Sequence, residues 1–294
     1  MSADRILLIE NPARLSVDHG RVKVEREGHD DAFASPSDIA VLCLHHHTIN
    51  LSVHVLRVLA AAGAAVLVTD EQHHPSALML PVAGNQALLD RLEQQIAVCE
   101  SKLTHILWAQ LVCSKVRTQA ANLRFFELNG ALRLERLAEQ VKPGDPSNVE
   151  AQAARHYWKH FFGNDFTRRR EGAEDGLNAR LNYGYAVLRA LVARQLVMNG
   201  LNTALGLGHK GRQNPFNLAD DFTEPFRYLV ERHVRSNEDI DAPFTSQVKV
   251  GLLRFMEQEV PMGEATYRVA SAVAESVGSF CRALEQGRGE LRLP

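Results

Sequence analysis

The stretch Ala77–Leu111, ALMLPVAGNQALLDRLEQQIAVCESKLTHILWAQL, is where the hydrophobic pattern of the chain changes period. Before Pro81 the apolar residues come in short runs. From Leu88 they recur at steps of three and four, at Leu88, Leu89, Leu92, Ile96, Val98 and Cys99, then at Leu103, Ile106, Leu107 and Leu111. Short runs read as strands, and the longer spacing reads as helices that bury one face. The expected fold class is therefore α+β: a small N-terminal β-rich domain over residues 1–82, followed by a larger all-helical domain over 83–294.

Working upstream, Arg5–Glu10 (RILLIE), Ile39–Leu44 (IAVLCL) and Ala65–Thr69 (AVLVT) read as strands, and Ala77–Leu80 as an edge strand. Leu15–Val17 and Arg21–Arg26 flank a hairpin loop, Asp18-His19-Gly20, with glycine where a positive φ is wanted. One helix, Leu51–Ala62, ends at Gly63. Downstream, Pro143–Pro146 forms a second break, and helices are expected over Val149–Phe162, Leu177–Asn199, Leu218–Arg235, Val248–Glu257 and Val269–Leu284.

At 294 residues, 45% hydrophobic and 23% charged, the chain can bury a large core and lacks the composition of a disordered segment. A formal charge of -2 supplies no overall attraction to nucleic acid, so any polyanion site must come from local clusters of Lys and Arg. The four cysteines show no CxxC spacing, which fits reduced structural thiols. The apolar stretch Leu51–Val68 is interrupted by His54, Arg57 and Gly63 and is too short and polar to span a bilayer. A cytoplasmic protein with no membrane partner is expected.

The chemistry concentrates in His209–Arg227, HKGRQNPFNLADDFTEPFR. On a helix, Asp221 and Glu224 share a face and can converge on one cation with His209; the competing reading is acids that decorate a helix N-terminus. Mixed imidazole and carboxylate ligands suit Mg2+ or Mn2+ better than structural zinc. Ser147 and Glu150 spell a capping box ahead of a helix, the ordinary explanation of that glutamate. Gly206, Gly208 and Gly211 match GxGxxG but follow a helix, so they read as a tight turn that places His209, not as a dinucleotide site. His156 and His160, and the clusters His45–His47 and His73–His74, read as solvated or core histidines. Arg168, Arg169 and Arg170 lie together, and Lys210, Arg212, Arg227, Arg232 and Arg235 surround the acidic segment, where they could hold phosphates.

Taken together, PSNVEAQAARHYW, NYGYAVLRALVARQLVMNGL and His209 with NPFNLADDFTEPFR closely resemble the CRISPR-associated endonuclease Cas1, the integrase of spacer acquisition. SDIAVLCLHHHTINLS and AAVLVTDEQHHPSALMLP resemble that family's β domain, and NPFNLA is similar to members that accompany a Cas9 effector in type II systems. The resemblance implies a metal site of Glu150, His209 and Glu224, with Asp221 the adjacent acid that many relatives use; Glu224 is favoured as the nearer ligand. A ligating Glu150 cannot also close a capping box. The implied reaction is insertion of foreign DNA into a CRISPR array, with a 3′ hydroxyl attacking a repeat phosphodiester in line. The implied partners are double-stranded DNA, a second copy joined through the β domain, and the small subunit Cas2 in a heterohexamer. The alternatives are a non-catalytic DNA-end-binding scaffold whose acids only cap helices, and a related integrase of transposition or repair.

Overall fold

A computed structural model describes residues 5–70, 75–82, 88–99, 101–169, 176–236 and 244–294. Its N-terminal part contains strands β1 (Arg5–Ile9), β2 (Arg14–Asp18), β3 (Arg21–Glu25), β4 (Ala32–Ala34), β5 (Ile39–Leu44) and β6 (Asn50–Leu51), helix α1 (Val53–Ala61), and strands β7 (Ala65–Thr69) and β8 (Pro75–Met79). They form two four-stranded sheets, in the orders β1-β5-β7-β8 and β4-β3-β2-β6.

In the first sheet β5 lies between β1 and β7 and runs parallel to both, with Leu42 opposite Leu7 on one side and Val66 on the other. A strand covered on both faces must be apolar throughout, and all six residues of β5 are buried. Ile39 and Leu42 face a core shared with Leu15, Val22, Val55 and Leu59. Val41 and Cys43 face the opposite way, into the core built by the helices. One sheet thus joins the two parts, and each fully buried Leu or Val in it contributes about 1.5–3 kcal/mol.

The helical part runs α2 (Leu88–Cys99), α3 (Lys102–Phe125), α4 (Ala131–Glu139), α5 (Val149–Phe161), α6 (Gly176–Met198), α7 (Asn217–Thr223), α8 (Arg227–Ser236) and α9 (Ser246–Leu252). A hairpin of β9 (Glu259–Met262) and β10 (Ala265–Arg268) precedes α10 (Val269–Gln286). Helix α6 is buried on nearly every face because it packs against β5, β7 and β8 on one side and α7, α8 and α10 on the others. The β9-β10 hairpin corrects the expectation of an all-helical second part: Val260 and Met262 are buried, and the strand pair packs on α10.

Two further differences from the sequence reading set up the site. The expected helix Leu218–Arg235 is three pieces, α7, a 3-10 turn over Glu224–Phe226, and α8. Pro225 has no N–H to donate, which tightens the chain there and turns Glu224 off the α7 face. At α5 the capping box does not form. Asn148 is the cap, its side chain accepting from Ala151 N at 3.3 Å, and Asp145 accepts from the amides of Val149 and Glu150 at 2.8 and 2.9 Å. With the first turn satisfied by Asn148 and Asp145, the Glu150 side chain is released from capping.

Candidate metal centre

Three elements meet beside the 3-10 turn: α3, the start of α5, and the loop before α7. Helix α3 is started by Ser101, whose hydroxyl accepts from Leu103 N. Along it, Trp108, Lys115 and Asn122 recur every seven residues and so share one face. Trp108 packs edge-on to His209, ring centroids 5.8 Å apart. Asn122 donates to the Tyr157 hydroxyl and to the Tyr228 carbonyl. Between them Lys115 reaches both glutamates, with Nζ 2.6 Å from Glu150 Oε1 and 2.6 Å from Glu224 Oε2.

The Glu224 side chain is 2% exposed and that of Glu150 26% exposed, so the pair reaches from the interior to solvent-accessible surface. Burial alone would raise the Glu224 carboxyl, but Arg227 and then Lys115 beside it outweigh burial and bring it down to about 2. Arg227 holds the second oxygen of Glu224 at 3.0 Å and lies over the Tyr185 ring at 4.9 Å. Burial lowers the Lys115 ammonium pKa, but Glu224 and Glu150 raise it further, so the lysine stays charged.

His209 is positioned from the other side. Asp221 is fully buried, and its two oxygens accept from the backbone amides of Leu207, Gly208 and His209 and from His209 Nδ1, the last at 2.7 Å. Burial raises the Asp221 carboxyl while His209 and the amides oppose it; surrounded by four N–H donors, it serves as an acceptor-only carboxylate. The hydrogen bond that His209 donates to Asp221, ahead of the opposing effect of burial, raises the His209 pKa, with smaller contributions from Glu224 and Asp220. In the neutral ring the proton on Nδ1 belongs to this bond, which leaves the lone pair on Nε2.

The sequence placed Asp221 and Glu224 on one face, aimed at one cation. The structure separates them: Asp221 faces the 207–209 loop, and Glu224 faces Lys115 and Arg227. The two glycines ahead of His209 are required by contact. A Cβ on Gly206 would lie 2.2 Å from the His209 carbonyl oxygen, and one on Gly208 would lie 2.4 Å from the Trp108 ring. Among the described residues, no three His, Cys, Asp or Glu side chains already stand together as metal ligands.

The family model described as CRISPR associated protein Cas1 matches residues 6–239. The chain belongs to the Cas1 family. A CRISPR-associated endonuclease Cas1 of Neisseria meningitidis serogroup C is 36% identical over 99% of this chain and 95% of its own length. In fold, this Cas1 is similar to a casposase bound to integration product, with a TM-score of 0.81 and 20% identity over 98% of this chain and 92% of that one. A chain of a Cas6-RT-Cas1–Cas2 complex aligns with a TM-score of 0.76 and 16% identity over 98% of this chain and 36% of that one.

Several arginines singled out in this Cas1 sequence are used inside the protein. Arg168 donates to Asn178 and Asn182 and lies over Tyr185. Arg227 is committed to Glu224, Arg232 to Asn122, and Arg235 to the Phe161 carbonyl. Arg169, Lys210 and Arg212 are exposed, and Arg170 lies outside the described residues, as do His73 and His74. His156 and His160 pack on Gly130, where Nε2 of His156 is 3.1 Å from the carbonyl oxygen. His45 is buried 3.6 Å from Glu10. Among the described residues no helix is long and apolar enough to cross a membrane. Sequence reasoning missed Lys115, Trp108 and Asp145; the signal for Lys115 was a charged residue on the buried face of a long helix, in step with Trp108 and Asn122.

The Trp108 contact makes a sharp prediction. Gly208→Ala is expected to cost about 1–3 kcal/mol from overpacking against a rigid indole. Pairing it with Trp108→Ala should recover part of that loss, a coupling that a double-mutant cycle of thermal denaturation reads directly. Additive effects would mean the two residues do not meet.

Proposed function

We propose that this chain is a divalent-metal-dependent DNA endonuclease and integrase: a DNA 3′ hydroxyl attacks a phosphodiester at the edge of a CRISPR repeat, one P–O bond forms as another breaks, and the displaced 3′ oxygen of the target strand leaves as a hydroxyl. Glu150, His209 and Glu224 would hold the metal, Mg2+ or Mn2+. The observation that carries the reading is that Glu150 and Glu224, from elements remote in sequence, place one oxygen each at 2.6 Å from a single buried cation, the Lys115 ammonium. Two carboxylates gathered around one positive charge, beside an imidazole whose Nδ1 is fixed by Asp221, form a donor set suited to a hard divalent ion. The fit is supported by Glu224 Oε2, which is buried and in ionic contact but makes no directed hydrogen bond.

A cation bound there would stabilise charge on the reacting phosphate and lower the pKa of the attacking oxygen. The residues of this chain do the rest. Glu224 is kept ionised by Arg227 and Lys115, so it meets a cation already deprotonated. Asp221 fixes the tautomer of His209 and is proposed as its positioning residue in place of a ligand role. Exposed Arg169, Lys210 and Arg212 would grip backbone phosphates without reading bases, so DNA binding should weaken with salt.

The proposed partners are duplex DNA, a second copy of this chain joined through the N-terminal strands, and the small subunit Cas2 in a heterohexamer. A Cas9 effector is proposed from the NPFNLA wording, and the cytoplasm as the location. The likeness to a casposase bound to integration product and to a chain in a Cas1–Cas2 complex supports the DNA and Cas2 proposals at the level of fold. The test is strand transfer of a labelled DNA end into a repeat-containing duplex. Excess chelator should abolish product and added Mn2+ should restore it, while undiminished product in chelator would refute the metal-dependent reading.

A further inference from the structure

Lys115 is a strongly placed charge with no step of its own in the proposed reaction. Its side chain is 10% exposed and enters from α3, opposite the 3-10 turn that carries Glu224. Its neighbours in charge are Glu150, Glu224 and Arg227. With Lys115 and Arg227 positive and the two glutamates negative, the cluster is neutral as it stands. Without Lys115, two carboxylates would face each other with only Arg227 as counterion, an arrangement that burial penalises.

The two arginine and lysine contacts differ in kind. Arg227 is a planar group held at Glu224 Oε1 and over the Tyr185 ring, so it is fixed. Lys115 is a compact charge on a flexible four-carbon stem, so it can withdraw without moving α3. It also binds the oxygens that the proposed function assigns to the cation, one from each glutamate. A divalent ion and the ammonium cannot both sit between those oxygens, because like charges at contact distance repel.

We propose that Lys115 holds the cation position in the metal-free protein and that a divalent ion must displace its ammonium to bind. This rests on the metal site proposed above. Lys115 is then a positioning residue: it keeps Glu150 and Glu224 converged before metal arrives, and it is released toward the more exposed Glu150 side afterwards.

The experiment compares Mn2+ binding to wild-type protein, Lys115→Met and Glu150→Gln by isothermal titration calorimetry and electron paramagnetic resonance. Removing the competitor should tighten Mn2+ binding on the order of tenfold, and Mn2+ should raise the melting temperature of Lys115→Met by more than that of wild type. Equal or weaker binding by Lys115→Met overturns the proposal. A second measurement needs only wild-type protein: acetylation of Lys115 by an amine-reactive ester, quantified by mass spectrometry across a Mg2+ titration. Labelling should rise with Mg2+ occupancy; Lys115 protected equally at saturating Mg2+ overturns the proposal even if the variant does not fold. If Glu150→Gln abolishes binding while Lys115 is unaffected, only this inference fails. If Glu150→Gln binds as wild type does, the metal site and this inference fall together.

Discussion

Glu150→Gln, His209→Ala and Glu224→Gln are each expected to lower Mn2+-supported strand transfer by about 10²- to 10³-fold or more, the scale of removing one group that stabilises transition-state charge. Binding to duplex DNA should persist, because the exposed Arg169, Lys210 and Arg212 are untouched. The variants should differ in stability. Glu224 is buried between Lys115 and Arg227, so neutralising it takes the carboxylate from Arg227 and leaves Lys115 with Glu150 alone, and should cost about 3–5 kcal/mol, as breaking a buried pair does. Glu150 is more exposed and keeps only one partner, so Glu150→Gln should unfold near wild type in urea. Full strand transfer by a well-folded Glu150→Gln protein would leave the non-catalytic scaffold as the better reading.

Asp221→Asn should be the most damaging change outside the proposed ligands, although it alters only one atom type. The carboxylate accepts from three backbone amides and one imidazole, and an asparagine must turn its NH2 toward at least one of those donors. Each buried group left unsatisfied costs about 1–3 kcal/mol. Amide hydrogen exchange at Leu207, Gly208 and His209 should accelerate, and Mn2+ affinity should fall about 10- to 100-fold, the usual effect of losing the partner of a ligand histidine. The pH dependence follows from the raised His209 pKa, held up by Asp221 with help from Glu224 and Asp220. The stability this contact contributes is complete below the ordinary histidine value of 6.5 and is lost as pH rises through the higher folded value. Metal binding runs the opposite way, since Nε2 must be unprotonated, so Mn2+ affinity should climb with pH over that window. In Asp221→Asn the climb should shift to lower pH; an unshifted profile would mean Asp221 does not govern the ring.

Much of the fold was legible where one interaction dominates. Ile39–Leu44 and Ala65–Thr69 were read to the residue, because a central parallel strand is apolar on both faces and Gly63 marks the preceding helix end. The β9-β10 hairpin was not, since Pro261 interrupts the run and the two-residue Gly263-Glu264 turn is a short signal. Around the site, the tetrapeptide Asp145-Pro146-Ser147-Asn148 offers overlapping caps, and only three-dimensional placement selects Asp145 and Asn148 over Ser147. Spacing put Asp221 and Glu224 on one face because it assumed an uninterrupted helix, which Pro225 breaks. His209, Asp221 and Glu224 were singled out by residue type and spacing, and Glu150 was proposed as a ligand only through the Cas1 resemblance; the one sign of Lys115 was its step of seven with Trp108 and Asn122, and its pairing with two glutamates on other elements leaves no local pattern.

One cation shared by Glu150, Glu224 and His209 is the central expectation. Anomalous diffraction from crystals grown with Mn2+ tests this directly. The expected result is a single peak about 2.0–2.6 Å from Glu150 and Glu224 oxygens and His209 Nε2, with Asp221 still bound to Nδ1. A peak held by other residues, or Mn2+ absent from this cluster at saturating concentration, would contradict it.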